Sequence, residues 1–96
     1  MSTSNKQAYQ QKLQAQLDEW SAEIDQLKAK AKQADADAQI DYNNEIETLK
    51  SYQAKANAKL SELKSASDDA WEDLKSGTED AWKNLETAIK SATNRF

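Results

Sequence analysis

The chain is predicted to be all-α, built from long amphipathic helices that form a coiled coil or helical bundle. Helix breakers are nearly absent, since the 96 residues contain one Gly and no Pro. An eleven-residue unit occurs twice in succession, SASDDAWEDLK over 65–75 and SGTEDAWKNLE over 76–86. Eleven residues span about three helical turns, so Trp71 and Trp82, like Leu74 and Leu85, return to nearly one side of a helix. The phase set by that repeat then extends through most of the chain.

Residues 1–4 read as a frayed N-terminus, and residues 5–96 as one helical coiled-coil domain. Ser4 and Gln7 fit a capping box, in which each side chain serves a free backbone N–H of the first turn. From Tyr9 an apolar stripe runs through Leu13, Leu17, Trp20, Ile24, Leu27, Ala31, Ala34, Ala38, Tyr42, Ile46, Leu49, Tyr52, Ala56, Leu60, Leu63, Ser67, Trp71, Leu74, Thr78, Trp82, Leu85, Ile89 and Ala92 to Phe96. Its mean spacing is ~3.6 residues, and at ~100° per residue the positions stay within an arc of about 120°. The stripe holds all eight Leu, all seven aromatics and three of the four Ile, leaving only Ile40 outside it. Such a face must be buried, so its larger members form the expected assembly or partner face.

Three places interrupt the pattern weakly. From Ala34 to Ala38 the stripe narrows to Ala, and Asp35 and Asp37 are poor helix formers. Asn43-Asn44 is a turn signal without Gly or Pro beside it. Ser76-Gly77-Thr78-Glu79 resembles a helix end followed by a capping box, but the repeat and the stripe pass straight through it, so the helix is expected to continue.

Two architectures satisfy the stripe. One is a near-continuous helix from about Asn5 to Asn94, roughly 135 Å long at 1.5 Å per residue. The other is a helical hairpin closing near Ala38, with Leu13 facing Leu63, Trp20 facing Ala56 and Ala31 facing Ile46. In that register Asp18, Glu19, Glu23 and Asp25 lie near Lys50, Lys55 and Lys59, and Lys28 and Lys32 lie near Glu45 and Glu47. The second arm outruns the first, leaving Trp71, Leu74, Trp82, Leu85, Ile89 and Phe96 without partners inside the chain. Both arrangements therefore predict self-association, giving a homo-oligomer, or docking on an unidentified protein client.

Charge narrows the partners further. The net charge is −4, and residues 1–48 hold 5 basic against 9 acidic side chains, while residues 49–96 hold 8 of each. No basic excess exists to neutralise phosphates, so nucleic acid is not expected. Trp71, Trp82 and Phe96 are suitable anchors for a membrane surface, but residues 66–86 carry 7 acidic and 2 basic side chains, which anionic lipid repels. The start lacks the apolar core of a secretory signal, and no apolar run is long enough to span a bilayer, so the expectation is a cytoplasmic protein. With no Cys there is no disulfide and no thiolate chemistry.

No catalytic, cofactor-binding or metal-ligating residue is expected. The run Asp35-Ala-Asp37-Ala-Gln39-Ile-Asp41 resembles the start of a calcium loop. It lacks the turn Gly, and Ile46 stands where a bidentate Glu belongs. Carboxylate metal sites in bundles draw on Glu-x-x-His, and there is no His. The pairs Asp68-Asp69, Glu72-Asp73 and Glu79-Asp80 lie off the stripe and read as hydrated helix surface, so a non-enzymatic protein is expected.

The segments LQAQLDEWSAEIDQLKAKA and DDAWEDLKSGTEDAWKNLETAIKSA resemble a group of small bacterial coiled-coil proteins, often named as stress-response proteins. That resemblance implies a cytoplasmic, non-enzymatic helical protein with a structural or stress-protective role, and no catalytic residues. A looser likeness links the eleven-residue units to late-embryogenesis-abundant proteins, whose repeats generally lack this Trp and Leu content. A peripheral lipid-binding helix, or an adaptor that docks through residues 71–96, is the alternative expectation.

Overall fold

Three helices of nearly equal length carry the stripe in turn: α1 (Thr3–Gln33), α2 (Ala36–Ser65) and α3 (Asp68–Arg95). The computed structural model describes residues 3–96, with side chains from residue 5 onward. α1 begins at Thr3. The frayed start expected over residues 1–4 is therefore too long by two, since Thr3 and Ser4 are already helical; Met1, Ser2 and the Ser4 side chain of the expected capping box lie outside what is described.

Two connections of two residues each reverse the chain, so α1 and α2 are antiparallel, as are α2 and α3. α1 and α3 consequently run side by side in the same direction. Lys6 and Asp68 meet near both N-termini, whereas Phe96 reaches back to Tyr42 near the start of α2. The molecule measures 51 × 19 × 18 Å. A helix of about 30 residues is ~45 Å long, which accounts for the long axis.

The first reversal falls where the stripe narrows to Ala. Ala34 N–H donates to Ala31 O at 3.2 Å, tightening the end of α1. Asp35 then leaves helical space with φ −69° and ψ 170°, and its carboxylate accepts the N–H of Ala38 as the N-cap of α2. The Gln39 side-chain amide donates to Ala34 O at 3.0 Å, satisfying a carbonyl at the helix end. Lys30 and Lys32 close α1 and Asp37 opens α2, each matching the sign of the adjacent helix dipole.

A second reversal, at Ala66–Ser67, replaces the long second arm of the expected hairpin. Ala66 (φ −73°, ψ 144°) donates its N–H to Leu63 O at 3.2 Å, and Ser67 Oγ accepts the N–H of Ala70 at 3.3 Å. Asp68 and Asp69 fill the first turn of α3. The near-continuous helix therefore does not form. α1 and α2 make the hairpin, which closes at Ala34–Asp35 and not near Ala38, because Asp35 caps α2 and draws Ala38 into its first turn; α3 folds back over it, supplying within one chain the partner that the second arm lacked. Helix continues through Asn43-Asn44 and through Ser76–Glu79, including Gly77.

The core takes one face from each helix. Leu49, Ala56, Leu63, Leu85 and Ala92 are fully enclosed, and Trp71 is 1% exposed. Thr78 is also fully buried, and its hydroxyl donates to Leu74 O in the preceding turn, so it brings no unpaired group into the core. Ile40 is 60% exposed, the outlier that the stripe predicted. No helix among the described residues is long and apolar enough to cross a membrane.

Candidate functional site

The residues singled out as an assembly or partner face converge on the bundle interior. Leu13, Leu17, Trp20, Ile24 and Leu27 come from α1, Ile46, Leu49, Leu60 and Leu63 from α2, and Trp71, Trp82, Leu85 and Ile89 from α3; all are buried. Leu74 and Phe96 are partly buried against that cluster. The stripe thus faces itself across three helices, and covering it requires no second chain.

Of the pairs expected between α1 and α2, Ala31 and Ile46 line a common groove. Lys28, Lys32, Glu47 and Lys50 line it with them, and Gln10 and Gln14 line another with Lys64. The charge pairing expected of the hairpin does not close. Among the described residues, Lys28 pairs with Asp25 on its own helix at 3.6 Å, Lys59 with Glu62 at 3.8 Å, and Glu45 is taken by Arg95 of α3 at 3.8 Å. The third helix, absent from the two-helix register, supplies that competing cation.

Between α1 and α3 a polar and aromatic cluster forms that sequence reasoning did not bring together. Lys6 forms an ion pair with Asp68, and the Tyr9 hydroxyl donates to Glu79 Oε1 at 3.0 Å. The Tyr9 ring meets Trp71 edge to face, with centroids 5.5 Å apart and planes at 69°. Lys75 Nζ lies 5.1 Å from the Tyr9 centroid and 5.7 Å from that of Trp71, and Lys6 Nζ lies 5.6 Å from Trp71. Burial, followed by the hydrogen bond and charge of Glu79, pushes the Tyr9 phenol up to about 12. The Lys6 hydrogen bond and charge hold Asp68 below the usual carboxylate range.

The opposite end of α3 is fastened to α2. Phe96 stacks on Tyr42 at 4.2 Å with planes 27° apart, beside the Arg95 to Glu45 pair. These partners are 54 and 50 positions apart in the chain, and no local spacing announces either contact.

Two donors in the core stand out. Trp71 Nε1 and Trp82 Nε1 are buried and meet no acceptor among the described residues. An unpaired buried donor typically costs ~1–3 kcal/mol, so the indoles are held in place by ring packing against that cost. The Asp35 carboxylate, the first acid of the calcium-like run, serves as a helix cap.

What this arrangement can do chemically is pair amphipathic helices. No family model matches the chain, and no curated protein or solved structure matches it.

Proposed function

We propose that this chain is a non-enzymatic structural or protective protein, associated with stress and working in the cytoplasm, that acts by exchanging its internal helix pairing for pairing with other molecules. The observation that supports this reading is the distribution of the stripe. Each of the three helices carries its own buried face, from Leu13 to Ala31, from Ile46 to Leu63 and from Trp71 to Ala92. Each is therefore amphipathic by itself, and an opened helix offers a partner the same apolar surface that it offers its neighbours. With 31% charged residues in the whole chain, the outer faces keep such a complex dispersed.

The test is suppression of aggregation. A heat-labile reporter enzyme is warmed with increasing amounts of this protein while light scattering is followed. Scattering is expected to fall by at least half near equimolar ratio, and the Trp71→Ser/Trp82→Ser double variant is expected to lose the effect. Unchanged scattering at tenfold molar excess of the wild-type chain refutes the protective reading.

A further inference from the structure

We propose that two copies of this chain form an exchanged dimer. In it α1 leaves its own bundle and docks on α2 and α3 of the second copy, while the Ala34–Asp35 connection straightens and α1 and α2 become one helix. This rests on the helix-exchange reading above and specifies which helix moves, about which hinge, and onto what partner.

The connection itself permits straightening. It holds two residues and contains neither Gly nor Pro. No non-Gly residue among those described has a positive φ, and Asp35 with φ −69° departs from helical geometry in ψ, at 170°. Rotation about that bond, with the matching change at Ala34, returns the segment to a helix. The stripe is already in register for this, because Ala31, Ala34, Ala38 and Tyr42 keep spacings of three, four and four residues across the bend. A straightened helix from Thr3 to Ser65 therefore keeps its apolar face on one side over about 95 Å.

α1 is the helix with least holding it. α2 and α3 share the most extensive seam, and α1 and α3 the least. Grooves of about 580 Å³ and 250 Å³ lie between α1 and α3. The polar ties across that seam among the described residues, Lys6 to Asp68 and Tyr9 to Glu79, sit toward the N-terminal ends of both helices. α3 by contrast is fastened to α2 at its far end by the Tyr42 to Phe96 stack and the Glu45 to Arg95 pair. When α1 docks on a second copy, each contact it made at home forms again between copies. Two fully occupied bundles result, at the loss of two short bends.

Second copies also fit by symmetry. Ala31 and Ile46 share a groove in the closed bundle, and extending that antiparallel register through a straightened hinge sets Ala38 opposite Ala38 of the other copy. The small side chains at Ala34 and Ala38 let two such helices pass closely at the centre.

The experiment compares hinge variants of the full chain by sedimentation velocity from 1 to 500 µM, after brief warming to the unfolding midpoint and cooling. Ala36 is the first residue of α2, and the extended ψ of Asp35 suits a residue before proline, so Ala36→Pro fits the closed bend but breaks a straightened helix. Asp35→Ala removes the cap that holds the bend. The wild type is expected to show a dimer that grows with concentration. Asp35→Ala should raise its association constant at least tenfold, and Ala36→Pro should leave a monomer of unchanged helicity.

A second readout does not depend on the proline variant folding. Spin labels on Lys28→Cys and Lys50→Cys of one chain, diluted into unlabelled protein, should report a separation within the 19 Å width of the bundle for monomer. For dimer they should report roughly 33 Å, the rise of 22 helical residues. A dimer that persists in Ala36→Pro, or that keeps the short label distance, overturns exchange through this hinge while leaving self-association standing. A wild type and Asp35→Ala that both stay monomeric at 500 µM overturn the dimer itself. Neither of these results alters what the scattering assay reads.

Discussion

Leu63 and Ile40 lie on the same helix and are both large aliphatic side chains, yet the bundle treats them in opposite ways. Leu63 is fully buried where the three helices meet, and Ile40 is 60% exposed. Replacing Leu63 with Ala removes buried methyl groups and leaves a cavity that neighbours fill only in part. The cost is expected at ~2–5 kcal/mol, a large share of the ~5–15 kcal/mol that stabilises a domain of this size. Ile40→Ala loses little burial and replaces a β-branched residue by the best helix former, so its effect lies between zero and a few tenths of a kcal/mol of added stability. In urea, with a slope of ~2 kcal/mol per molar, Leu63→Ala should lower the midpoint by about 1–2.5 M. Ile40→Ala should move it by less than ~0.3 M, with both transitions followed by circular dichroism and Trp fluorescence. Equal shifts for the two variants, or a larger one for Ile40→Ala, would refute the assignment of the stripe to the core.

Gly77→Ala should raise stability by ~0.5–1 kcal/mol in the same titration, because Gly is a poor mid-helix residue. A Cβ at that position meets only Lys59 Nζ at 3.9 Å, an ordinary contact. Tyr9→Phe removes the donor to Glu79 and makes the alkaline stability profile less steep. The folded Tyr9 phenol is raised from 10.0 to about 12, so its protonated form stabilises the bundle fully below pH 10. That contribution is lost as pH rises toward 12, and the difference between wild type and Tyr9→Phe should shrink across this window. Asp68 behaves in the opposite sense: with its carboxyl held below the usual carboxylate range by Lys6, its contribution is present above that range and is lost in more acidic solution. Lys6→Ala should flatten that acid limb, as read from unfolding midpoints between pH 5 and 2.

Much of the fold was legible because helical periodicity is a local property. Among the described residues the stripe identified every large buried side chain and set Ile40 apart, and an antiparallel α1–α2 hairpin was one of the two architectures it allowed. The bend at Ala34–Asp35 also carried a signal, since the apolar face thins to Ala there and Asp35 is followed by a second acid. The eleven-residue repeat disguises the bend at Ala66–Ser67. Ser67 and Thr78 are equivalent positions in the two copies, yet Ser67 caps a new helix while Thr78 lies buried in the middle of one. Ala66 stands at the bend and its counterpart Gly77 within the helix, the reverse of their intrinsic preferences. Tertiary packing decides between the copies, for only a turn at Ser67 lets Trp71, Trp82, Leu85 and Ile89 reach the α1–α2 hairpin. A Ser followed by Asp68-Asp69 is nevertheless an N-cap with an acidic first turn, and that signal marks the bend. The Lys6, Tyr9, Lys75 and Glu79 cluster had no comparable mark, because its members come from helices that meet only after two reversals.

Small-angle X-ray scattering on a dilute solution tests the threefold folding of the stripe most directly. A bundle gives a monomer mass, a radius of gyration close to 15.6 Å and a longest dimension near 51 Å. A straight helix of ~135 Å, or a rod-like assembly of such helices, gives a radius of gyration of roughly 40 Å or more, and that result would contradict a core closed within one chain.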